Sequence, residues 1–275
     1  MPEMPEVETM VRDLQPRIVG RSLTTVEASF SGAVIFPDYP EFVNRVSGQR
    51  IEGITRRGKY ALLALASGDV LIIHRGMSGS LLLRRSDDPP ERYMRALFRL
   101  DDGRELRFTD PRKFGKLFVM EGTGAERPLP WDKMGPEPLD TGFTVEHLRT
   151  VLTGRSGPIK PLLLGQRIVA GLGNIYVDEA LYRARIHPRT IAGTLGAEEI
   201  DRLHSAIRRV LSEAIERRGT TFNNYTDIEG LAGAYQSQLL VFRRTGDDCP
   251  TCGTPIERIV LQGRGTHFCP RCQQG

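Results

Sequence analysis

Residues 122–140 read GTGAERPLPWDKMGPEPLD, dense in Pro and Gly and without any apolar period, and they divide the chain into two textures. By composition this stretch is a linker. Upstream, short apolar and β-branched runs at 60–65, 70–74, 81–83, 96–100, 105–108 and 117–120 are mostly separated by Gly, Asp or Ser turn signals. That pattern predicts an antiparallel sandwich or barrel. Downstream the period becomes helical. Ile200, Leu203, Ile207, Val210, Leu211 and Ala214 share one face of a long helix, and Val177, Ala180, Leu181 and Ala184 share one in a shorter helix opening at Asn174. At the start of the chain Val7, Val11, Leu14 and Ile18 recur at helical spacing, with Pro5 in the first turn and Gly20 at the end. The expected fold is α+β: an N-terminal β-sandwich domain over 1–121 opened by a helix, a linker over 122–140, a helical domain over 141–240 and a cysteine module over 241–275.

The chain has 275 residues, enough for two ordinary domains, and a formal net charge of +4. A pI near 9.0 suits a polyanionic partner without demanding one. No apolar run reaches the roughly 20 residues that span a bilayer, and the opening MPEMPEVETM is acidic where a signal peptide is basic. The expectation is a cytoplasmic protein, acting as a monomer and not at a membrane.

All four cysteines fall in two Cys-x-x-Cys knuckles, Cys249/Cys252 and Cys269/Cys272. Four clustered thiolates form a closed, soft tetrahedral set, which points to one structural zinc ion rather than to disulfides. Between the knuckles, 256–261 and 266–268 flank Gln262-Gly263-Arg264-Gly265, which predicts a β-hairpin with Arg264 at its tip. An arginine held there suits a phosphate; in isolation a solvated turn residue is the plainer reading.

Pro2 becomes the chain terminus once Met1 is removed. A terminal α-amine titrates at about 7.7–8.0, against about 10.4 for lysine, so a nucleophilic fraction exists at neutral pH. When a secondary amine condenses with a sugar C1′, the iminium has no N–H to lose and stays a cationic electron sink. Glu3 and Glu6 lie beside that amine, where a carboxyl can act as a proton donor; carboxylates at a helix start also simply complement its dipole.

The sequence blocks MPEMPEVET at the N-terminus, RRGKY at 56–60, HRGMSGSL at 74–81, TDPRKFG at 109–115, GPEPL at 135–139, GLGNIYVDEAL at 171–181 and the cysteine module together resemble the formamidopyrimidine-DNA glycosylase family, in its order and over nearly the whole chain. The resemblance implies a β-sandwich, a helix-two-turns-helix domain and a zinc finger, with double-stranded DNA carrying a damaged base as the partner. It implies a bifunctional glycosylase and abasic-site lyase in base excision repair, acting on oxidised purines through a Schiff base on Pro2 and β,δ-elimination. Carried over by position, Pro2 is the nucleophile, Glu3 the proton donor, Lys59 a base or proton relay, and Arg264 a phosphate clamp for δ-elimination. Met77, Arg112 and Phe114 fill the space left by an extruded nucleotide. His74, Lys160 and Asn174 contact DNA, Asn174 also capping its helix, and Gly219–Gly233 corresponds to a mobile loop over the extruded base.

The chain departs from the family at Phe242-Arg243-Arg244, where a Tyr-Gly-Arg is common. Two other readings stand beside the main one: an endonuclease VIII-like branch directed at oxidised pyrimidines, and a non-catalytic zinc-finger DNA-binding protein. The Met-Pro-Glu-Met-Pro-Glu start and the complete Met77, Arg112, Phe114 set favour the purine-directed branch. Intact Pro2, Glu3 and Lys59 favour catalysis.

Overall fold

The computed structural model describes residues 2–29, 31–122, 131–222 and 226–274; the middle of the expected linker, 123–130, lies outside the described residues. The chain forms two compact units, Met1–Asp132 with Arg217–Ala234, and Lys133–Glu216 with Tyr235–Gly275.

Unit 1 opens with helix α1 (Met4–Ile18), whose apolar stripe buries Leu14 and Ile18 completely. Strands β1 (Leu23–Ala28) and β2 (Val34–Phe36) and helix α2 (Tyr39–Val46) follow. Then come β3 (Ile51–Arg57), β4 (Tyr60–Leu65), β5 (Asp69–His74), β6 (Ser80–Arg85), β7 (Met94–Leu100), β8 (Arg104–Thr109) and β9 (Lys116–Glu121). They form a four-stranded sheet in the order β1-β7-β8-β6 and a five-stranded sheet in the order β2-β9-β5-β4-β3. All pairings are antiparallel except β2 with β9.

Alternate residues of both sheets, among them Leu63, Leu71, Leu106, Phe98 and Val119, meet α1 and α2 in one core. The opposite face of β5 and β9 is covered too, since Ile72, Phe118 and Met120 pack with Tyr60 and Trp131. This double burial explains why 70–73 and 117–120 read as continuous apolar runs rather than as alternation.

Unit 2 contains α3 (Val145–Leu152), α4 (Ile159–Leu164), α5 (Asn174–Ala184), α6 (Ala197–Glu216), β10 (Glu257–Leu261) and β11 (Arg264–Phe268). Helix α6 buries one face, as its period requires, whereas α5 is buried on nearly all sides, Asp178 and Glu179 included. The Glu179 carboxylate accepts the successive N–H groups of Leu240, Val241 and Phe242 at 2.9–3.1 Å, which fixes the entry to the cysteine module. That module lies within unit 2 and is not a compact unit of its own.

Two boundaries differ from the sequence reading. The helical domain expected over 141–240 is interrupted, because residues 217–234 pack into unit 1. The cause is side-chain chemistry that no local pattern reveals. Arg218 pairs with Asp13 and Asp227, Ile228 is fully buried in the sandwich core, and Leu83 N donates to Ile228 O at 3.1 Å. The hairpin is also tighter than expected. Gln262 and Gly263 alone form the turn, both with positive φ (46° and 73°), so Arg264 is the first residue of β11, opposite Leu261.

Candidate active site

In unit 1 the start of α1 is closed by a reciprocal capping box. The Glu3 side chain accepts from the backbone of Glu6, and Glu3 N donates to Glu6 Oε2 at 2.7 Å. Pro2, Glu3 and Glu6 are all buried. The other oxygen of Glu6 accepts Thr220 N at 2.8 Å. Gly219, with φ +80°, permits that approach, because a Cβ there would sit 2.8 Å from Glu6 Cγ. The described parts of the expected mobile loop are therefore tied to unit 1 at both ends, through Thr220 and through Ile228; residues 223–225 lie outside the described residues.

Lys59 is buried and sits with Gly58 in the two-residue turn between β3 and β4. His74 faces Tyr60 across β4 and β5, the rings 4.7 Å apart. Its Nδ1 accepts Gly76 N at 3.3 Å. Burial, and then the positive charges of Lys59 and Lys116, push His74 down to about 4. It is thus neutral at pH 7, with Nε2 carrying the proton.

Because the folded value lies below the unfolded one, near 6.5, the unfolded chain takes up the proton first as pH falls. The stabilising effect is complete above about 6.5 and is lost towards about 4. A series of Tm measurements from pH 7 to pH 4.5 should therefore show a smaller decline in His74→Gln than in the unaltered protein. Parallel declines would refute this assignment.

Met77 and the Arg112–Phe114 loop come together against a common backbone contact. A Cβ on Gly76 would lie 2.6 Å from Phe114 C and 2.7 Å from Gly115 N. Phe114 is 47% exposed, and the Arg112 guanidinium stacks 4.8 Å over its ring. Beneath them lies Asp110, buried and unremarked in the sequence reading. Its position before Pro111 in a turn is the signal that could have singled it out.

In unit 2, Arg264 is exposed on β11. Lys160 requires correction: it is fully buried, and its Nζ meets Asp178 Oδ1 at 2.7 Å, Thr266 Oγ1 at 2.8 Å and Gly265 O at 3.1 Å. These partners leave no side for a phosphate, so Lys160 braces the strand that carries Arg264 instead of touching DNA. The capping role expected of Asn174 is corrected as well. Gly173 is the N-cap, and the Asn174 amide reaches across to donate to Gly265 O at 2.9 Å. His267 completes the brace, since its N and Nδ1 both meet Asp178 Oδ2.

Replacing Lys160 by Met should cost about 3–5 kcal/mol, because it strands a buried carboxylate. The expected observation is a lower urea midpoint together with weaker DNA binding. Weaker binding at unchanged stability would instead indicate a direct contact.

The four cysteine Sγ atoms lie within 4.8 Å of one another, with Cys252 to Cys269 at 3.5 Å and Cys249 to Cys272 at 3.8 Å. Zinc with Zn–S bonds of about 2.3 Å sets sulfur atoms about 3.8 Å apart in a tetrahedron, so the set fits one ion. Cys249, Cys252, Cys269 and Cys272 would hold it, and it would supply folding energy rather than reactivity.

Family models match three consecutive stretches: the formamidopyrimidine-DNA glycosylase N-terminal domain over 1–117, the formamidopyrimidine-DNA glycosylase H2TH domain over 134–226, and the zinc finger found in FPG and IleRS over 246–275. The chain belongs to the formamidopyrimidine-DNA glycosylase family. The glycosylase is 48% identical over 273 residues to the formamidopyrimidine-DNA glycosylase of Symbiobacterium thermophilum, covering 99% of this chain and 89% of that one. It superposes with a TM-score of 0.93, at 37% identity and full coverage of both chains, on a Lactococcus lactis FPG mutant in complex with DNA containing Fapy-dG. Another solved structure, the wild-type Lactococcus lactis FPG with DNA containing an oxidised pyrimidine, gives 0.92 at 37% identity, again covering both chains completely. Among the described residues of the glycosylase no helix is long and apolar enough to cross a membrane.

Proposed function

We propose that the enzyme excises oxidised purines, namely 8-oxoguanine and formamidopyrimidines, from duplex DNA and then opens the strand, with Pro2 as nucleophile once Met1 has been removed. The observation that carries this reading is the burial of Pro2, which leads directly into the Glu3–Glu6 capping box. The neutral amine adds to C1′, and the carboxyl of Glu3 protonates the ring oxygen as the sugar opens and the base departs. The resulting iminium has no proton on nitrogen, so it draws electrons from C2′. Lys59, in its buried turn, takes or relays the C2′ proton, and the 3′-phosphate leaves, followed by the 5′-phosphate. Arg264 remains charged throughout and acts by holding a phosphate.

To reach C1′ the enzyme extrudes the nucleotide, and Met77 and Phe114 replace its stacking while Arg112 hydrogen-bonds the orphaned base. Neutral His74 offers its Nε2–H to a phosphate. Helix α5 has no side-chain cap at Gly173, which supports a phosphate at its N-terminus near Asn174. We take the enzyme to act in the cytoplasm as a monomer.

A second reading, excision of oxidised pyrimidines as well, is favoured by the ligand of one structural relative. The test is borohydride trapping and excision rates on duplexes carrying 8-oxoguanine opposite cytosine, a formamidopyrimidine, or an oxidised pyrimidine. The purines should be released faster. Faster release of the pyrimidine would overturn the branch assignment, and no adduct on any duplex would overturn the amine mechanism.

A further inference from the structure

Asp110 is 1% exposed, yet its carboxylate takes donors from two separate segments. Oδ1 accepts Ser78 Oγ at 2.6 Å and Arg112 N at 3.2 Å, while Oδ2 accepts Phe114 N and Gly115 N, each at 2.7 Å. Four donors match the roughly four lone-pair sites of a carboxylate. Its backbone is anchored as well: Asp110 N donates to Tyr93 O at 3.0 Å, and Asp110 O accepts Arg95 Nε at 2.8 Å. Tyr93 itself holds the left-handed conformation at φ 61°, a cost tolerated where the surroundings over-determine it.

The Ser78 bond belongs to the turn that presents Met77, and the three backbone bonds belong to the loop that presents Arg112 and Phe114. Gly76 lets the two backbones touch, and a side chain on Gly115 would strike the Phe108 ring at 2.3 Å. The two loops are therefore joined through one carboxylate and closely packed around it.

We infer that Asp110 is a positioning residue that locks the Met77 turn to the Arg112–Phe114 loop, so that the three side chains enter the duplex as one preformed wedge. The inference rests on the base-extrusion reading above. Asp110 touches neither substrate nor reacting atoms. Its effect is confined to the step that opens the duplex, and chemistry at an already unpaired sugar does not need it.

The test compares excision of 8-oxoguanine from duplex DNA with borohydride trapping at an abasic site in single-stranded DNA, together with the fluorescence of 2-aminopurine placed beside the lesion as a report of wedge insertion. Asp110→Ala should lower the ratio of duplex excision to single-strand trapping by about 100-fold, the scale of a misplacement near 1 Å, and abolish the fluorescence change. Asp110→Asn should bring the ratio back to within about fivefold of the unaltered enzyme. With its amide oxygen in the place of Oδ2 it still accepts the Phe114 and Gly115 N–H groups, and its Nδ2 in the place of Oδ1 can donate to the Ser78 hydroxyl, so that only the longest of the four bonds, from Arg112 N, is lost. Ser78→Ala removes only the link to the Met77 turn and should lower the ratio by about tenfold. This variant carries the test if Asp110→Ala fails to fold. An unchanged ratio and fluorescence signal in Ser78→Ala, or in a folded Asp110→Ala, would overturn the inference. Absence of any trapped adduct with the unaltered enzyme would overturn the amine mechanism instead, and the proposal with it.

Discussion

A chain that retains Met1, or carries one added residue before Pro2, should neither release the damaged base nor yield a borohydride-trapped adduct, while still binding lesion DNA. An acylated proline nitrogen has no lone pair to donate, so the loss removes the nucleophile itself and not merely its alignment. We expect at least a 10⁴-fold fall in rate, about 5.5 kcal/mol of barrier, comparable in scale to losing the attacking group of other covalent enzymes. Pro2→Gly provides a graded comparison. Its primary amine can still condense, but the product can lose its N–H and with it the charge that draws electrons from C2′, so strand opening should suffer more than trapping. Separating the two requires single-turnover rates on an abasic duplex beside the trapping yield. Undiminished trapping with a blocked N-terminus would remove Pro2 from the mechanism.

Zinc removal should have the second largest effect, and it should fall on binding. Among the described residues strands β10 and β11 pair only with each other, and an isolated two-stranded hairpin is marginal in water. What holds this one is a small cluster of Tyr182, Val241, Ile256 and the cysteines, together with the brace from Lys160 and Asp178. A structural zinc in comparable small modules contributes about 10–16 kcal/mol of apparent folding energy. Without it Arg264 loses its fixed position, and the Kd for an abasic-analogue duplex at constant salt should rise about tenfold to a hundredfold, the equivalent of one or two charge-assisted phosphate bonds. Cys269→Ser should reproduce the effect of chelation. Unchanged affinity after metal analysis confirms zinc loss would contradict it.

What could be read from the sequence follows physical locality. Strands β4 to β9 announce themselves because their apolar runs are bounded by turn signals. β1 does not, since LTTVEA buries Leu23 and Val26 between exposed polar residues and breaks the two-residue alternation. Helix α2 starts at Tyr39-Pro40, where a turn would read equally well. The proposed chemical residues Pro2, Glu3, Lys59 and Arg264 stand out because each lies in a short block that resembles the family's own.

Lys160 was misread because nothing within its neighbourhood shows Thr266, 106 positions away, or that the charge would be buried with Asp178. Thr220 was passed over for the same reason: its partner Glu6 is 214 positions distant. Asp110 differs, since its donors lie close by in sequence on one side and only the Ser78 contact spans a longer interval. Within that stretch Arg112 and Phe114 carry the recognisable chemistry, whereas Asp110 before Pro111 reads as a plain turn residue.

The bond between Thr220 and Glu6 bears on how the enzyme is made. Translation delivers Glu6 first, but its backbone partner emerges only after more than two hundred further residues, roughly 10–45 s later at ordinary ribosomal speed. During that interval the amine of Pro2 can already be exposed while the carboxyl group next to it lacks one of its fixed donors. A nascent or prematurely terminated chain thus carries the proposed nucleophile without its finished surroundings.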